Sequence, residues 1–152
     1  MVSPVTIGGR AAEVGKVVTD VLIRNADDVR RAGRSEIADS AIREVLLEHV
    51  LCDSGATVLC LPAEVIRSLG LPMLEEAVAA TATGTVAARI FEDARITIAG
   101  RTRTVECLEL PGGLQPLLGV IPMEQLGLEL DLQNQRLIVL PHTGDNTYLT
   151  IL

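Results

Sequence analysis

Apolar and polar residues follow one another along this chain mostly with the short periods of β-strands, and only twice with the longer period of a helix. Residues 15–25, Gly-Lys-Val-Val-Thr-Asp-Val-Leu-Ile-Arg-Asn, read as a strand. Residues 26–40 are charged and interrupt the pattern, so an exposed excursion is expected there: a solvated connecting loop with room for a short helical turn. Residues 42–52 form a long strand that becomes continuously apolar towards its end, as a strand entering a core should. That strand runs straight into Asp53-Ser54-Gly55, and a second apolar run, Ala56 to Leu61, follows at once. Pro62 to Leu69 reads as a short helix with Pro at its first position, Glu64 in the first turn and Gly70 beyond the end.

The second half repeats this grammar. Val78 to Ile90 suits a hairpin with its tip near Thr83-Gly84, and Ala94 to Ile98 pairs with Thr102 to Leu110 across a turn at Ala99-Gly100-Arg101. Pro111-Gly112-Gly113 stops that strand. Ile121 to Leu126 reads as a second short helix, with Pro122 near its start and Gly127 at its end. Leu128 to Leu140 is a hairpin turning near Gln133-Asn134, and Thr147 to Leu152 is expected to add a last strand. Leu61-Pro-Ala-Glu-Val-Ile-Arg-Ser-Leu-Gly-Leu71 also echoes Ile121-Pro-Met-Glu-Gln-Leu-Gly-Leu128. Each follows an apolar run bearing a glycine, Gly55 in one and Gly119 in the other, which suggests a domain built on pseudo-twofold symmetry.

Composition sharpens this reading. The 152 residues fit one domain, 1–152, and the chain is 48% hydrophobic, which makes it globular. Those hydrophobic residues are nearly all aliphatic, with one Phe, one Tyr and no Trp, so pleated half-buried strands are favoured. A net charge of −7 and the lack of aromatic stacking platforms argue against nucleic acid as a partner. No apolar run reaches the ~20 residues of a membrane span, and residues 1–10 lack the basic start and apolar core of a signal peptide. Three cysteines at irregular spacing do not make a disulfide framework, so a reducing cytoplasm is the expected compartment.

The chemistry concentrates in Val50-Leu-Cys-Asp-Ser-Gly-Ala-Thr-Val-Leu-Cys-Leu-Pro62. This segment resembles the active site of the retropepsin-like aspartic proteases: a hydrophobic strand, Asp-(Thr or Ser)-Gly-(Ala or Ser), then a second hydrophobic strand. Members of that family carry a later hydrophobic-hydrophobic-Gly element before a helix, matched here by Leu117-Leu118-Gly119. The resemblance spans roughly residues 45 to 140 and is closest to small bacterial members that stand alone rather than within a polyprotein. It implies an all-β acid-protease barrel with one or two short helices, acting as a homodimer on a peptide or protein substrate, without cofactor or metal.

The implied roles have physical reasons. A water attacks a peptide carbonyl when one carboxylate takes its proton while another carboxyl polarises the carbonyl oxygen. The motif occurs once in this chain, so the pair calls for two copies of Asp53 facing each other across a twofold axis and sharing one proton. In the resemblance Ser54 is the hydroxyl that locks the two active-site loops together, and Gly55 permits their tight backbone. Ala56 completes the loop, and Leu117, Leu118 and Gly119 support it from beneath. Thr81, Ala82, Thr83, Gly84 and Thr85 fall where the family has its flap, although they are smaller than most flap residues. Tyr148 to Leu152 would interleave at the dimer interface. Such a dyad should favour mildly acidic pH.

Other candidates are weaker. His49 and Cys52 should point to opposite faces of their strand, and Cys52, Cys60 and Cys107 lack metal-ligand spacing and read as buried structural thiols. Asp93 and Asp131 have no Ser/Thr-Gly after them and read as hairpin surface residues. A second catalytic Asp within the chain is disfavoured, with Asp20 and Asp39 the remaining acids to place. Gly8-Gly9 and Gly112-Gly113 read as loops rather than phosphate cradles. Two rival readings stand beside proteolysis: a non-catalytic dimerising or protein-binding module of the same fold, and a small-molecule-binding β-barrel.

Overall fold

The computed structural model describes residues 4–5, 16–111 and 113–141. Ten strands and three short helices occur among them: β1 (Pro4–Val5), β2 (Val17–Asn25), α1 (Ala26–Gly33), β3 (Glu44–Cys52), β4 (Leu59–Pro62), α2 (Ala63–Leu69), β5 (Met73–Thr81), β6 (Gly84–Ile98), β7 (Arg101–Leu110), β8 (Leu117–Leu118), α3 (Val120–Gln125), β9 (Leu128–Asp131) and β10 (Arg136–Val139). A single 3-10 turn, Asp39–Ala41, lies between α1 and β3. The fold is all-β and retropepsin-like, as the resemblance implies. The expected strand at 147–152 and the loop at Gly8-Gly9 lie outside the described residues.

Seven strands form one sheet in the order β2-β3-β8-β4-β7-β6-β5, and β2 also pairs with β6. That extra pairing, Leu22↔Thr97 through Asn25↔Ala94, bends the sheet round until it closes on itself. Closure removes the free edges that an open sheet would expose. Only β5 is left outside the ring, carried on the first half of β6 as one arm of a hairpin. β1, β10 and β9 make a second, three-stranded sheet.

Alternation explains the core. In β2 every second residue, Val17, Thr19, Val21, Ile23 and Asn25, is buried. Val17, Val21 and Ile23 meet Val50 and Cys52 of β3, Leu59 and Leu61 of β4, Ile96 and Ile98 of β6, Cys107 of β7 and Leu118 of β8 in one largely aliphatic cluster. The helices close its ends: Ile66 and Leu69 of α2, and Met123 of α3 with Leu126 after it, are buried. Each helix stops at a left-handed glycine, Gly70 (φ 63°) and Gly127 (φ 66°), where a side chain would be strained.

Several details depart from the pattern-based reading. Pro62 stands one residue before α2, at its cap, and Pro122 is the third residue of α3. The two hairpins expected over 78–110 share a single long strand, β6, bent by a register shift between Phe91 and Ala94 where Asp93 takes φ 66°. Asp93 therefore sits in a bulge rather than a hairpin end, with its carboxylate accepting from Arg30 at 3.3 Å. The charged excursion contains the eight-residue α1, and it is anchored to the barrel. Asn25 caps the helix, its Oδ1 accepting from the Asp28 N–H at 3.0 Å. Asp28 is 2% exposed and its carboxylate accepts from the Arg43 guanidinium at 2.8 and 3.0 Å. Those hydrogen bonds hold the Asp28 carboxyl below its ordinary range and Arg43 above its own. No helix among the described residues is long and apolar enough to cross a membrane.

Candidate active site

The Asp-Ser-Gly loop is built where three strands converge. Leu51 and Cys52 at the end of β3 pair in parallel with Leu117 and Leu118 of β8, and Cys60 of β4 pairs with Leu117 from the other side. Asp53 extends the ladder by one step, its N–H donating to the Leu118 carbonyl at 3.0 Å. The chain then turns tightly, the Ala56 N–H donating to the Asp53 carbonyl at 3.1 Å. From there it is tethered to the start of α3: Val120 N–H donates to the Ala56 carbonyl at 2.9 Å, and Ile121 N–H to the Thr57 carbonyl at 3.0 Å. Four backbone bonds thus hold the loop, a fixed frame of the kind a reactive side chain needs.

Within that frame the Asp53 carboxylate is half-buried, and its Oδ1 accepts from the Gly55 N–H at 2.8 Å. The bond fixes one of the two carboxylate oxygens. Ser54 and Gly55 are exposed and Ala56 is partly buried. The Leu117-Leu118-Gly119 element does lie against this loop, with Leu118 fully buried. Gly119 is packed so tightly that a Cβ there would stand 2.6 Å from both Thr57 C and Val58 N. No real Cβ tolerates that approach, so glycine is required at this position by space rather than by φ, which is −86°.

The five residues Thr81 to Thr85 form the exposed tip of the β5–β6 hairpin, well away in sequence from the loop they are expected to cover. Thr81 pairs with Gly84 around a two-residue turn at Ala82-Thr83. The Thr81 hydroxyl donates to the Gly84 carbonyl at 3.0 Å and accepts from the Thr83 N–H at 3.4 Å, so the tip is closed on itself without large side chains. Behind the tip both faces of the ribbon are apolar and small: Ala77, Ala79, Val86 and Ala88 on one, Val78, Ala80 and Ala87 on the other. A cleft of about 350 Å3 lies between α3 (Ile121, Pro122) and the β6–β7 strands (Glu92, Glu106), and Asp53 is not in its wall.

The remaining candidates have structural places. Cys52, Cys60 and Cys107 are all buried and unbridged. Burial pushes the Cys52 and Cys107 thiols up to about 12, and burial together with the nearby Asp53 charge raises Cys60. His49 is exposed while Cys52 is buried, on opposite sides as expected. Asp131 closes the β9–β10 turn through Asn134 and Arg136. Asp39 opens the 3-10 turn, and Asp20 binds the backbone of His49 rather than approaching Asp53. Among the described residues no group of three or more His, Cys, Asp or Glu could hold a metal. The pattern of the sequence assigns Asp28 and Arg43 no role, and it leaves Asp20 only as a disfavoured second acid rather than as a partner of the His49 backbone. An Asp in the middle of the apolar run Val17–Asn25, where Asp is a poor strand former, was the available signal for Asp20.

A closed β-barrel with one Asp-Ser-Gly loop framed by a Leu-Leu-Gly strand and a helix defines the class. The family model for aspartyl proteases matches residues 42–129, from the foot of β3 through the hairpin and the glycine element to β9, and the chain belongs to that family, in its retropepsin-like form. β2 and α1 lie outside the matched stretch. No curated protein matches the chain.

Proposed function

We propose that the protein is an aspartic endopeptidase that works as a homodimer, with Asp53 of each subunit forming the catalytic pair. The observation that carries this reading is the Asp53 loop: a half-buried carboxylate with one oxygen held by the Gly55 N–H, on a backbone fixed to β8 and α3. A second such loop does not occur in the sequence, so the partner carboxyl comes from another copy of the chain across a twofold axis.

In the mechanism, one Asp53 carboxylate takes a proton from a water lying between the two carboxyls, and the protonated partner donates to the peptide carbonyl oxygen. The water oxygen bonds to the carbonyl carbon. The tetrahedral intermediate then breaks at the C–N bond as the first carboxyl gives the amine the proton it took from water, and a diol hydroxyl returns its proton to the partner carboxylate. No covalent acyl-enzyme forms. Ser54 ties the two loops to each other across the axis, Leu117, Leu118 and Gly119 keep each loop from sagging into the core, and the Thr81–Thr85 tip folds over the bound peptide to exclude water. The aliphatic, alanine-rich ribbon behind that tip suits apolar substrate side chains.

The test is a broad peptide library incubated at pH 4 to 7 with wild type and with Asp53→Asn, read by mass spectrometry, with dimerisation followed by sedimentation. Cuts present in wild type and absent from a still-dimeric variant support the proposal. A dimeric wild type that makes no cuts over the whole range sinks it and favours a non-catalytic binding module.

A further inference from the structure

We propose that Asp20 is a positioning residue for Asp53, acting through a bulge in β3; this rests on the reading of Asp53 as the catalytic acid. The β2–β3 register runs Thr19↔Val50, then jumps to Val21↔Leu47, so Glu48 and His49 together oppose Asp20. His49 takes φ 58°, a left-handed conformation that a side chain other than glycine adopts at a cost. The Asp20 carboxylate meets it directly, Oδ1 accepting from the His49 N–H at 3.1 Å.

The bulge decides which way the active acid faces. Before it, the odd residues Val45 and Leu47 pack against the core, opposite Ile23 and Val21. After it, the even residues Val50 and Cys52 are buried, opposite Thr19 and Val17. A strand without the extra residue would keep odd positions inward, and Asp53 shares their parity with Val45 and Leu47. Its carboxylate would then enter the aliphatic core, where an unpaired charge is strongly disfavoured. One inserted residue turns Asp53 to the open side instead, and β-bulges are used in this way beside active sites. Asp20 stabilises that inserted residue from the neighbouring strand.

The experiment compares Asp20→Ala, Asp20→Asn and the double variant Asp20→Ala/His49→Gly in the full chain. Two signals are read: kcat and KM on a peptide that the wild type cleaves, and the Gly55 amide resonance, which reports the Asp53 oxygen bound to it. Asp20→Ala is expected to lower kcat roughly ten- to hundredfold with KM little changed, the scale of a small misplacement of a reacting group, and to shift the Gly55 amide. Asp20→Asn keeps an acceptor oxygen and should stay near wild type. Glycine at 49 takes the left-handed conformation freely, so the double variant should regain both signals. An Asp20→Ala protein that folds only when His49→Gly is added supports the proposal equally. Wild-type kcat and an unmoved Gly55 amide in Asp20→Ala overturn it, as does a folded Asp20→Ala that His49→Gly fails to rescue. If the wild type cleaves no peptide, the proteolytic reading fails separately, and the Gly55 amide alone decides the role of Asp20.

Discussion

The two strand-glycine-helix units of the barrel are built alike and used differently. In each, an arginine at the foot of a strand reaches over the left-handed glycine that ends a helix: Arg43, just before β3, lies against Gly70, and Arg101, opening β7, lies against Gly127. Arg101 closes its helix directly, donating to the Leu126 and Gly127 carbonyls at 3.0 Å each and to the Leu140 carbonyl. Arg43 is drawn aside by Asp28, and the Asn25 side chain serves in its place, donating to the Leu69 carbonyl at 2.9 Å. Each helix end thus finds a side-chain donor for its last carbonyls, supplied by different residues.

The glycines at the heart of the two units differ more. A Cβ on Gly55 would meet only the Asp53 carboxylate, at 3.1 Å, whereas one on Gly119 would strike the backbone of Thr57 and Val58. The first unit holds the acid in an open loop and the second fills the space behind it. Division of labour of this kind leaves the chain with one framed carboxylate, which supports the proposal that two chains make one site.

The largest test of that asymmetry is Asp53→Asn, which should remove turnover, a loss on the order of 10²–10⁴-fold or more. Dimerisation and thermal stability should stay close to wild type. Next in size is a contrast between glycines. Gly119→Ala has no room and should destabilise by about 1–3 kcal/mol or more in urea unfolding. Gly55→Ala should cost less than about 1 kcal/mol, with its harm showing in activity through the displaced Asp53 oxygen. Equal losses from the two would break the comparison.

The anchoring of the first unit gives a smaller effect. Asp28→Asn removes the charge that holds Arg43 and should cost about 1.5–3 kcal/mol, the range for hydrogen bonds to charged groups, measured by the urea midpoint. The sign of its pH dependence follows from the depressed carboxyl. Folded Asp28 holds its proton more weakly than the unfolded residue, whose ordinary value is 3.8. The pair therefore contributes fully above that value, and its stabilisation is lost as pH falls below it through the lower folded value. The wild-type melting temperature should fall over that acid range more steeply than that of Asp28→Asn. Parallel slopes would show that Asp28 is not the group responsible.

Much of this molecule was legible in its sequence because much of it is decided locally. Apolar alternation within β2 and β7, the glycines after α2 and α3, and the Asp53-Ser54-Gly55 turn all depend on neighbours a few residues away. Even the Leu117-Leu118-Gly119 element could be named, although its use could not, because the atoms that forbid a side chain on Gly119 belong to Thr57 and Val58 on a distant part of the chain. What stayed hidden was of this second sort. The charge run at 26–40 reads as a loop until Arg43 receives the Asp28 carboxylate. Barrel closure needs β2 to meet β6, some seventy residues further on. The strand 42–52 reads as unbroken, yet whether Asp53 faces the core or the open side turns on one extra residue opposite Asp20. Side-chain period determines that a strand exists; which of its two faces is inside is decided only when another strand, with its own register and its own acid, lies down beside it.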